Sequence, residues 1–225
     1  MKKSLYFIIF IFGLFVLNCQ AELEKAKFGI PEEEMNLIIA GLLINTGYSD
    51  TGNGTILDNS LNLEWKKCSQ GQSFRQTQND CQGTTNGSDY TPNDEYLYGA
   101  TAYNYCNVLG NTCNSLSIPQ TLLASTTENV SSGAYNSCDT EVFDGKSDWR
   151  VPTGAELKKL TAGGKTSMIS YFPNTATSYY WTSWGDELDT TGYTAKAISF
   201  REDTFGNDES IVKTTKLYVI CVRNR

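Results

Sequence analysis

The sequence predicts an α+β fold with an antiparallel sheet, two helices and long loops stapled by disulfides. Three observations predict it. Segments with the alternation and the aromatic or β-branched content of antiparallel strands lie at Ser178–Trp184, Thr194–Glu202 and Lys216–Arg223. Residues Thr153–Glu156 have the form of a helix capping box. Six cysteines lie among stretches rich in Gly, Asn, Thr and Ser.

The first elements follow Thr46, where Gly, Asn, Thr, Ser, Asp and Tyr begin to dominate. Strands are predicted near Thr55–Leu57 and Leu63–Lys67, on either side of a turn at Asp58–Ser60. The polar stretch 69–95 is a predicted loop.

Two helices are predicted in the second half of the domain. Apolar residues at roughly helical spacing predict one over Tyr96–Leu109. The capping box predicts another over Gly154–Thr161, which Gly163 and Gly164 would end. Residues 110–145 between the two helices are a predicted loop.

The N-terminus has the pattern of a bacterial lipoprotein signal. Lys2 and Lys3 precede an apolar run of about thirteen residues, Leu5–Leu17, which is short for a membrane span. Cys19 follows directly, with Leu17 two residues before it. We therefore expect residues 1–18 to be a signal peptide and Cys19 to carry the lipid. The alternatives are an uncleaved anchor or an ordinary signal with a chance cysteine.

Residues 19–45 are predicted to be the lipidated cysteine and a tether, and residues 46–225 the domain. Residues 20–34 are charged, and Met35–Ile44 is a short apolar segment. Ten residues cannot span a bilayer. This segment is compatible with a helix docked on the domain, a strand, or a sticky stretch near the membrane.

Charge and composition exclude several functions. Without Lys2 and Lys3, 16 of the 18 Lys and Arg remain against 25 Asp and Glu, a net charge near −9. That balance disfavours nucleic acid or an anionic lipid surface as partner. The chain has no histidine, which excludes Ser-His-Asp and Cys-His catalysis and His-ligated zinc or haem. Carboxylate-based hydrolysis is not excluded.

The cysteine count predicts three disulfides. If Cys19 is acylated, an even number remains, as in many exported domains. Zinc is the rival interpretation, but the chain has no C-x-x-C pair. Six cysteines allow 15 connectivities. The cysteines concerned are Cys68, Cys81, Cys106, Cys113, Cys138 and Cys221.

Five blocks of sequence resemble a known bacterial family, from about Thr51 to Arg225. These blocks are Leu61–Trp65, Ala102–Cys106, Ser147–Leu157, Tyr171–Thr175 leading into Tyr179–Ser183, and Tyr218–Arg223. They resemble the domain of unknown function 1566, also called the Lcl C-terminal-like domain. The resemblance implies a twisted antiparallel sheet with two helices, similar to C-type-lectin-like domains.

The resemblance also implies a role and a disulfide pattern. Members are mostly exported or surface proteins, and one ends a collagen-like adhesin that binds host glycans. No enzymatic activity is attached to the family, so no catalytic residues are carried over. The first helix would lie against the last strand, pairing Cys106 with Cys221. Cys68 would then pair with Cys81, and Cys113 with Cys138 within the insertion at 110–145.

Two groups of residues invite a functional and a structural interpretation. Trp149 is expected in the core, with Arg150 pairing with a carboxylate or carbonyls to fix the Asp148–Arg150 turn; the alternative is a binding site. Strand alternation would place Tyr180 and Trp184 on one face and Tyr179 and Trp181 on the other. One pair would belong to the core, and the other could stack on sugar rings.

Acidic loops raise the question of calcium. Such oxygen clusters can bind Ca²⁺, but the spacing is not that of an EF-hand, and the calcium signature of sugar-binding lectins is absent. We expect solvated charge and no cofactor. The residues are Asp186, Glu187 and Asp189 in one loop and Asp203, Asn207, Asp208 and Glu209 in another.

The sequence thus predicts a non-enzymatic binding module, lipid-anchored to the outer membrane and exposed at the cell surface. Tyr-, Ser-, Gly- and Asn-rich loops suit adaptable contacts. The expected ligand is a host extracellular matrix protein or glycan, with a protein favoured over a sulfated glycan because the chain is acidic. The alternatives are a periplasm-facing structural lipoprotein and a carboxylate-based glycan hydrolase.

Overall fold

A computed structural model describes residues 47–83, 97–111, 113, 115–116 and 129–225. The predicted signal peptide, Cys19, the predicted tether and Met35–Ile44 lie outside the described residues. In the described part of the chain, no helix is long and apolar enough to cross a membrane.

The first sheet has four antiparallel strands, in the order β1-β2-β3-β11. Asp58 makes the predicted turn between β2 and β3, since its carboxylate accepts from the backbone N–H groups of Ser60 and Leu61. In register, Trp65 lies between Ile56 and Val222, and all three are buried. The strands are β1 (Tyr48–Asp50), β2 (Thr55–Asp58), β3 (Leu63–Lys66) and β11 (Val222–Asn224).

The second sheet has three antiparallel strands, in the order β7-β8-β9. They are β7 (Tyr179–Gly185), β8 (Thr194–Ser199) and β9 (Asp208–Val212). A register shift interrupts the pairing of β7 with β8 between Trp181 and Gly185. The predicted single sheet is therefore wrong in one respect, because the antiparallel strands divide between two sheets and two short pairs.

Two further pairs of short antiparallel strands lie outside these two sheets. A hairpin forms from β4 (Gln72–Arg75) and β5 (Asp80–Gly83) within the predicted loop 69–95. The second pair is β6 (Tyr103–Asn104) with β10 (Lys216–Leu217).

The predicted helix over Tyr96–Leu109 is wrong. Its described part has only a single 3₁₀ turn at Leu97–Gly99, in which Tyr98 and Gly99 take positive φ angles. Residues Tyr103–Asn104 then pair as a strand with Lys216–Leu217. Hydrogen bonding to a distant strand overrides the helical spacing of the apolar residues.

The described residues contain three α-helices where two were predicted. The helix α1 (Gly133–Asp139) begins at Ser132, whose hydroxyl accepts from the Tyr135 N–H, and it lies inside the predicted loop 110–145. The predicted helix α2 (Gly154–Thr161) is confirmed, with both hydrogen bonds of its capping box present. A further helix, α3 (Gly164–Tyr171), follows directly.

Two clusters of buried side chains form the core. One contains Trp149 and Trp181 with Val219 and four of the cysteines, Cys106, Cys113, Cys138 and Cys221. The other contains Trp65 with Leu157, Phe172 and Tyr180, where α2 and α3 meet the two sheets. Burial of such aromatic side chains is the dominant favourable contribution to the stability of the fold.

All six cysteines are joined in three disulfides, but only one expected pairing holds. Cys68 pairs with Cys81 as the resemblance implied. The pairings of Cys106 with Cys221 and of Cys113 with Cys138 are wrong, since Cys106 pairs with Cys113 and Cys138 with Cys221. The reason is that the helix beside Cys221 is α1, which carries Cys138. The described part of the segment 96–109, which carries Cys106, is not an α-helix.

Candidate functional site

The Asp148–Glu156 segment, here called the Arg150 corner, is filled by its own interactions. The Arg150 guanidinium donates to both carboxylate oxygens of Glu156, each at 2.8 Å. The same carboxylate accepts from the Thr153 N–H at 2.8 Å. Burial acts against ionisation, but these donors hold the pKa of the Glu156 carboxyl below its ordinary value of 4.5. The corner thus fixes the start of α2 against the residues directly before it.

Trp149 and Asp148 are also committed to the fold. Trp149 is fully buried, and its indole N–H donates to the Lys146 carbonyl at 3.1 Å. Asp148 accepts from Arg223 Nε at 2.7 Å. Backbone hydrogen bonds between Arg150 and Val222 tie the corner to β11. The residues that carry the family resemblance most clearly are therefore engaged in contacts within the fold.

Tyr179 and Trp181 of β7 belong to one core cluster and Tyr180 to the other, as strand alternation predicts. Tyr180 and Trp181 are both fully buried, although they are neighbours in the chain. Tyr179 is half-buried, with the Arg201 guanidinium 5.9 Å from its ring centre. Trp184 is 46% exposed. The expectation of one core pair and one free pair is wrong, because core clusters cover both faces of β7 and Trp184 is the aromatic residue of the strand that keeps a large exposed surface.

Trp184 borders a cleft of about 360 Å³, here called the Trp184 cleft. Its walls come from three separate parts of the chain: Asn111 with Ser115, the loop 184–194, and Lys213. Behind the indole lies Gly154 at the start of α2, where an added Cβ would be 2.5 Å from the ring. The indole therefore rests on backbone and borders the cleft.

The floor of the cleft includes the buried Lys213. Its ammonium donates to the Gly110 carbonyl at 3.2 Å and lies 5.9 Å from the centre of the Tyr105 ring. Burial lowers the pKa of Lys213, and the nearby Asp189 opposes that shift. Lys213 thus holds the Gly110 segment against the end of β9.

The loop 185–194 is shaped by its own carboxylates. Asp189 accepts from the N–H groups of Thr191, Tyr193 and Thr194, and the hydroxyls of Thr191 and Thr194 that also donate to it hold its pKa well below the ordinary value. Asp186 accepts from the Leu188 N–H and pairs with Lys196 at 3.1 Å. Both carboxylates therefore organise the loop.

The acidic residues do not form a metal centre in the described part of the chain. No group of three or more Cys, Asp or Glu side chains there is placed to hold a metal ion. In the second loop, Asp203 pairs with Arg201, and Asp208 pairs with Lys158. Asn207 uses its backbone to close the turn after β8, and Glu209 lies opposite Ala197 in the sheet.

A second cleft, of about 250 Å³, is lined by Lys66, Phe74, Glu141 and Phe143. The Lys66 ammonium pairs with Glu141 at 2.9 Å and lies 5.2 Å from the centre of the Phe143 ring. Burial lowers the pKa of Lys66, and Glu141 opposes that shift. The charges facing this cleft are thus neutralised within it.

Most of the Trp184 cleft was missed by sequence reasoning. Trp184, Asp186, Glu187 and Asp189 were singled out, but for strand alternation and for calcium. Asn111, Ser115 and Lys213 come from distant segments, and no local pattern marks them. The Gly110–Asn111 and Gly192 turns are the available signal, because backbone approaches so closely there that a Cβ on Gly192 would be 2.4 Å from Asn111 Oδ1.

These features define an α+β domain with antiparallel sheets and three disulfides, covalent links that are typical of exported proteins. The sequence model of the Lcl C-terminal domain family matches residues 54–223. The chain therefore belongs to the Lcl C-terminal domain family, which indicates a surface or secreted protein. No curated protein sequence matches the chain.

Proposed function

We propose that this protein is a lipid-anchored, non-enzymatic binding module of the bacterial outer membrane that displays its domain at the cell surface. The signal sequence ending at Cys19 supports the lipid anchor. Three disulfides and the family support an extracytoplasmic location. The ligand is a component of the host extracellular matrix.

One observation carries the binding role: most of the exposed large apolar side chains lie on chain segments that form or adjoin the Trp184 cleft. Eight large hydrophobic side chains are exposed in the described residues, and five lie on the segments that form or adjoin this cleft. Exposed apolar surface at one place is typical of interaction sites. The five are Leu109, Trp184, Leu188, Tyr193 and Val212.

The side chains near the cleft support binding rather than hydrolysis. A glycosidase needs two carboxyl groups directed at substrate, one of them with a raised pKa. Burial acts against ionisation of Asp186, but hydrogen bonds from Ser210 and Lys196 hold its pKa below the ordinary value, and hydrogen bonds from Thr191 and Thr194 lower the pKa of Asp189. We therefore propose no enzymatic activity. A similarity to C-type-lectin-like domains is a further part of the proposal, supported by the mix of helices, antiparallel sheets and long cross-linked loops.

Protease accessibility tests the location. Intact cells that carry the native lipoprotein are treated with protease, with a periplasmic protein as the integrity control. Digestion of the domain while the control survives is the expected result. Protection until the envelope is broken would contradict surface display and favour a periplasmic structural role.

Matrix binding tests the function, with the lipoprotein on cells and a panel of immobilised matrix components. Leu188→Ser and Trp184→Ala should weaken binding, because both remove exposed surface near the cleft. Ile169→Ala is the control, because it removes an apolar side chain from α3 that is 42% exposed, close to the 46% of Trp184. Binding equal to that of an unrelated acidic lipoprotein would contradict the proposal.

A further inference from the structure

We propose that the Trp184 cleft binds an uncharged oligosaccharide, with the indole of Trp184 as the platform for a sugar ring. This inference rests on the proposed binding function and names the ligand class. The cleft is expected to bind neutral sugars in preference to sulfated or acidic sugars.

The platform is the first argument. Trp184 is 46% exposed, and Gly154 behind it leaves no room for a side chain between the ring and α2. The π face of an aromatic ring carries partial negative charge and attracts the weakly positive C–H groups of a sugar. A ring that rests on helix backbone loses little freedom when a ligand stacks on it.

The polar lining is the second argument. Asn111, Ser115, Glu187 and Thr190 place amide, hydroxyl and carboxylate groups along the cleft. Together these groups can both donate hydrogen bonds to sugar hydroxyls and accept them. A volume of about 360 Å³ lies within the ordinary range of sites for small ligands.

Charge is the third argument, and it selects the class of sugar. Asp186, Glu187 and Asp189 all line the cleft. Lys196 pairs with Asp186, and Lys213 is buried with its ammonium on the Gly110 carbonyl, so carboxylate remains in excess. A sulfate or a uronate would meet like charge there. An uncharged ligand does not incur this repulsion.

The walls of the cleft are set before a ligand arrives. Asp189 fixes the 189–194 turn through three backbone hydrogen bonds. Gly192 packs directly on Gly110 and Asn111, and the Cys106–Cys113 disulfide closes the segment that carries them. Preorganisation of this kind lowers the entropic cost of binding a small, flexible ligand.

Tryptophan fluorescence of the purified domain tests the proposal directly. The chain has four tryptophans, and Trp65, Trp149 and Trp181 are fully buried. Quenching by acrylamide therefore reports on Trp184. The probes are chitotriose, mannotriose and N-acetyllactosamine as neutral sugars, and a heparin-derived hexasaccharide as the sulfated sugar. At least one neutral probe should protect the indole saturably, and the hexasaccharide should not.

Variants separate stacking from a general effect on the fold, with binding followed by calorimetry because Trp184 is changed. Trp184→Ala should weaken binding of the neutral probe about tenfold, whereas Trp184→Phe should retain most of it. Ile169→Ala should bind as the native domain does. Gly154→Ala, whose Cβ would displace the indole, provides a variant that keeps the tryptophan and should also bind more weakly.

Three results would overturn the inference: no neutral probe binds, the hexasaccharide binds best, or Trp184→Ala binds a neutral probe unchanged. Failure of the proposed function would be distinguishable. Matrix binding that survives enzymatic removal of glycans and the Trp184→Ala substitution overturns the sugar site alone. Sugar binding by the purified domain, without matrix binding by cells, overturns the matrix ligand alone.

Discussion

The Arg150 corner and the Trp184 cleft both combine tryptophan with carboxylates, yet they differ in how those groups are used. In the corner, Trp149 is fully buried and Glu156 has Arg150 on both oxygens. In the cleft, Trp184 is 46% exposed, and the carboxylates of Asp186 and Asp189 shape a surface loop. The first region stabilises the fold, and the second presents a surface.

The comparison teaches that the clearest family residues need not be the binding residues. The Ser147–Leu157 block carries much of the resemblance, and its side chains are taken up by β11 and α2. Leu188 and Tyr193, by contrast, lie outside the resembling blocks and are exposed. Changes in the first region should cost stability, and changes in the second should cost ligand binding.

The largest expected effect comes from the disulfides, which divide between the two regions. Replacing Cys138 and Cys221 with Ala opens a loop with a sequence separation of 83, and should cost about 4–5 kcal/mol in the chain-entropy relation. Replacing Cys106 and Cys113, with a separation of 7, should cost about 2–3 kcal/mol. Urea unfolding measures both.

The Cys106–Cys113 disulfide, which closes the shorter loop, should matter more for binding, since it holds the wall of the cleft at Asn111. Equal losses of stability for the two pairs would contradict this assignment. Peptide mapping under non-reducing conditions provides an independent check, because it separates the observed pairing from the pairing of Cys106 with Cys221.

The second effect concerns Glu64, which is 5% exposed and accepts from Lys146 at 2.7 Å and from Arg223 at 2.8 Å. Burial opposes ionisation, but the two cations and Thr55 hold the pKa of Glu64 below its ordinary value. Glu64→Gln should lower the free energy of unfolding by about 2 kcal/mol, less than for a fully buried pair because Lys146 reaches solvent.

Glu202→Gln is the matched control for Glu64. Its carboxylate also pairs with a lysine, Lys165, but is 81% exposed. Exposed pairs contribute little because water screens them. Calorimetry should show no change in unfolding for Glu202→Gln. A similar loss of unfolding free energy for both variants would contradict the claim that the buried carboxylate stabilises the fold and the exposed one does not.

Acid should weaken the protein through the same carboxylates. The pKa values of Asp58, Glu64 and Glu156 are lower in the folded state than their ordinary values of 3.8 and 4.5. Their contribution to stability is therefore complete above pH 4.5 and is lost as the pH falls through the folded pKa values. The free energy of unfolding should decrease below about pH 4.5.

Glu156→Gln sharpens the prediction for acid. The variant is less stable than the native domain near neutral pH, but it has one carboxyl fewer to protonate. Its free energy of unfolding should therefore fall less between pH 5 and pH 3. A pH dependence identical to that of the native domain would show that the Arg150 corner does not contribute through Glu156.

Apart from the Glu202→Gln control, the smallest effect on stability is expected in the cleft. Leu188 is 87% exposed, so Leu188→Ser should change the free energy of unfolding by no more than about 0.5 kcal/mol. Matrix binding by the same variant should fall. A destabilised Leu188→Ser domain, or one that binds normally, would contradict the division between the two regions.

The sequence predicted elements that depend on neighbouring residues. The capping box of α2 and the Asp58 turn both satisfy backbone N–H groups within three residues, so local chemistry determines them. The prediction of a helix over 96–109 was wrong because the pairing of β6 with β10 joins residues that are far apart in the sequence. The helix α1 was missed because Gly133–Asp139 has little apolar periodicity, and Cys138 is held by its disulfide to Cys221.

The candidate site was harder to predict for the same physical reason. Trp184 was found, but only tertiary packing shows that its neighbours on β7 are covered by the core clusters while Trp184 stays exposed. Asn111 and Lys213 join the cleft through contacts with Gly192 and Gly110 across long stretches of chain. Such approaches depend on tertiary packing, which neither composition nor periodicity encodes.

Hydrogen exchange of the domain, with and without a matrix ligand that it binds, tests the central claim most directly. The account predicts slower exchange in residues 109–111 and 184–194 when the ligand is present. It predicts no change in the Arg150 corner, where the same hydrogen bonds are present with and without ligand. Protection confined to the corner or to the first sheet, with the Trp184 cleft unaffected, would contradict the assignment of the binding surface.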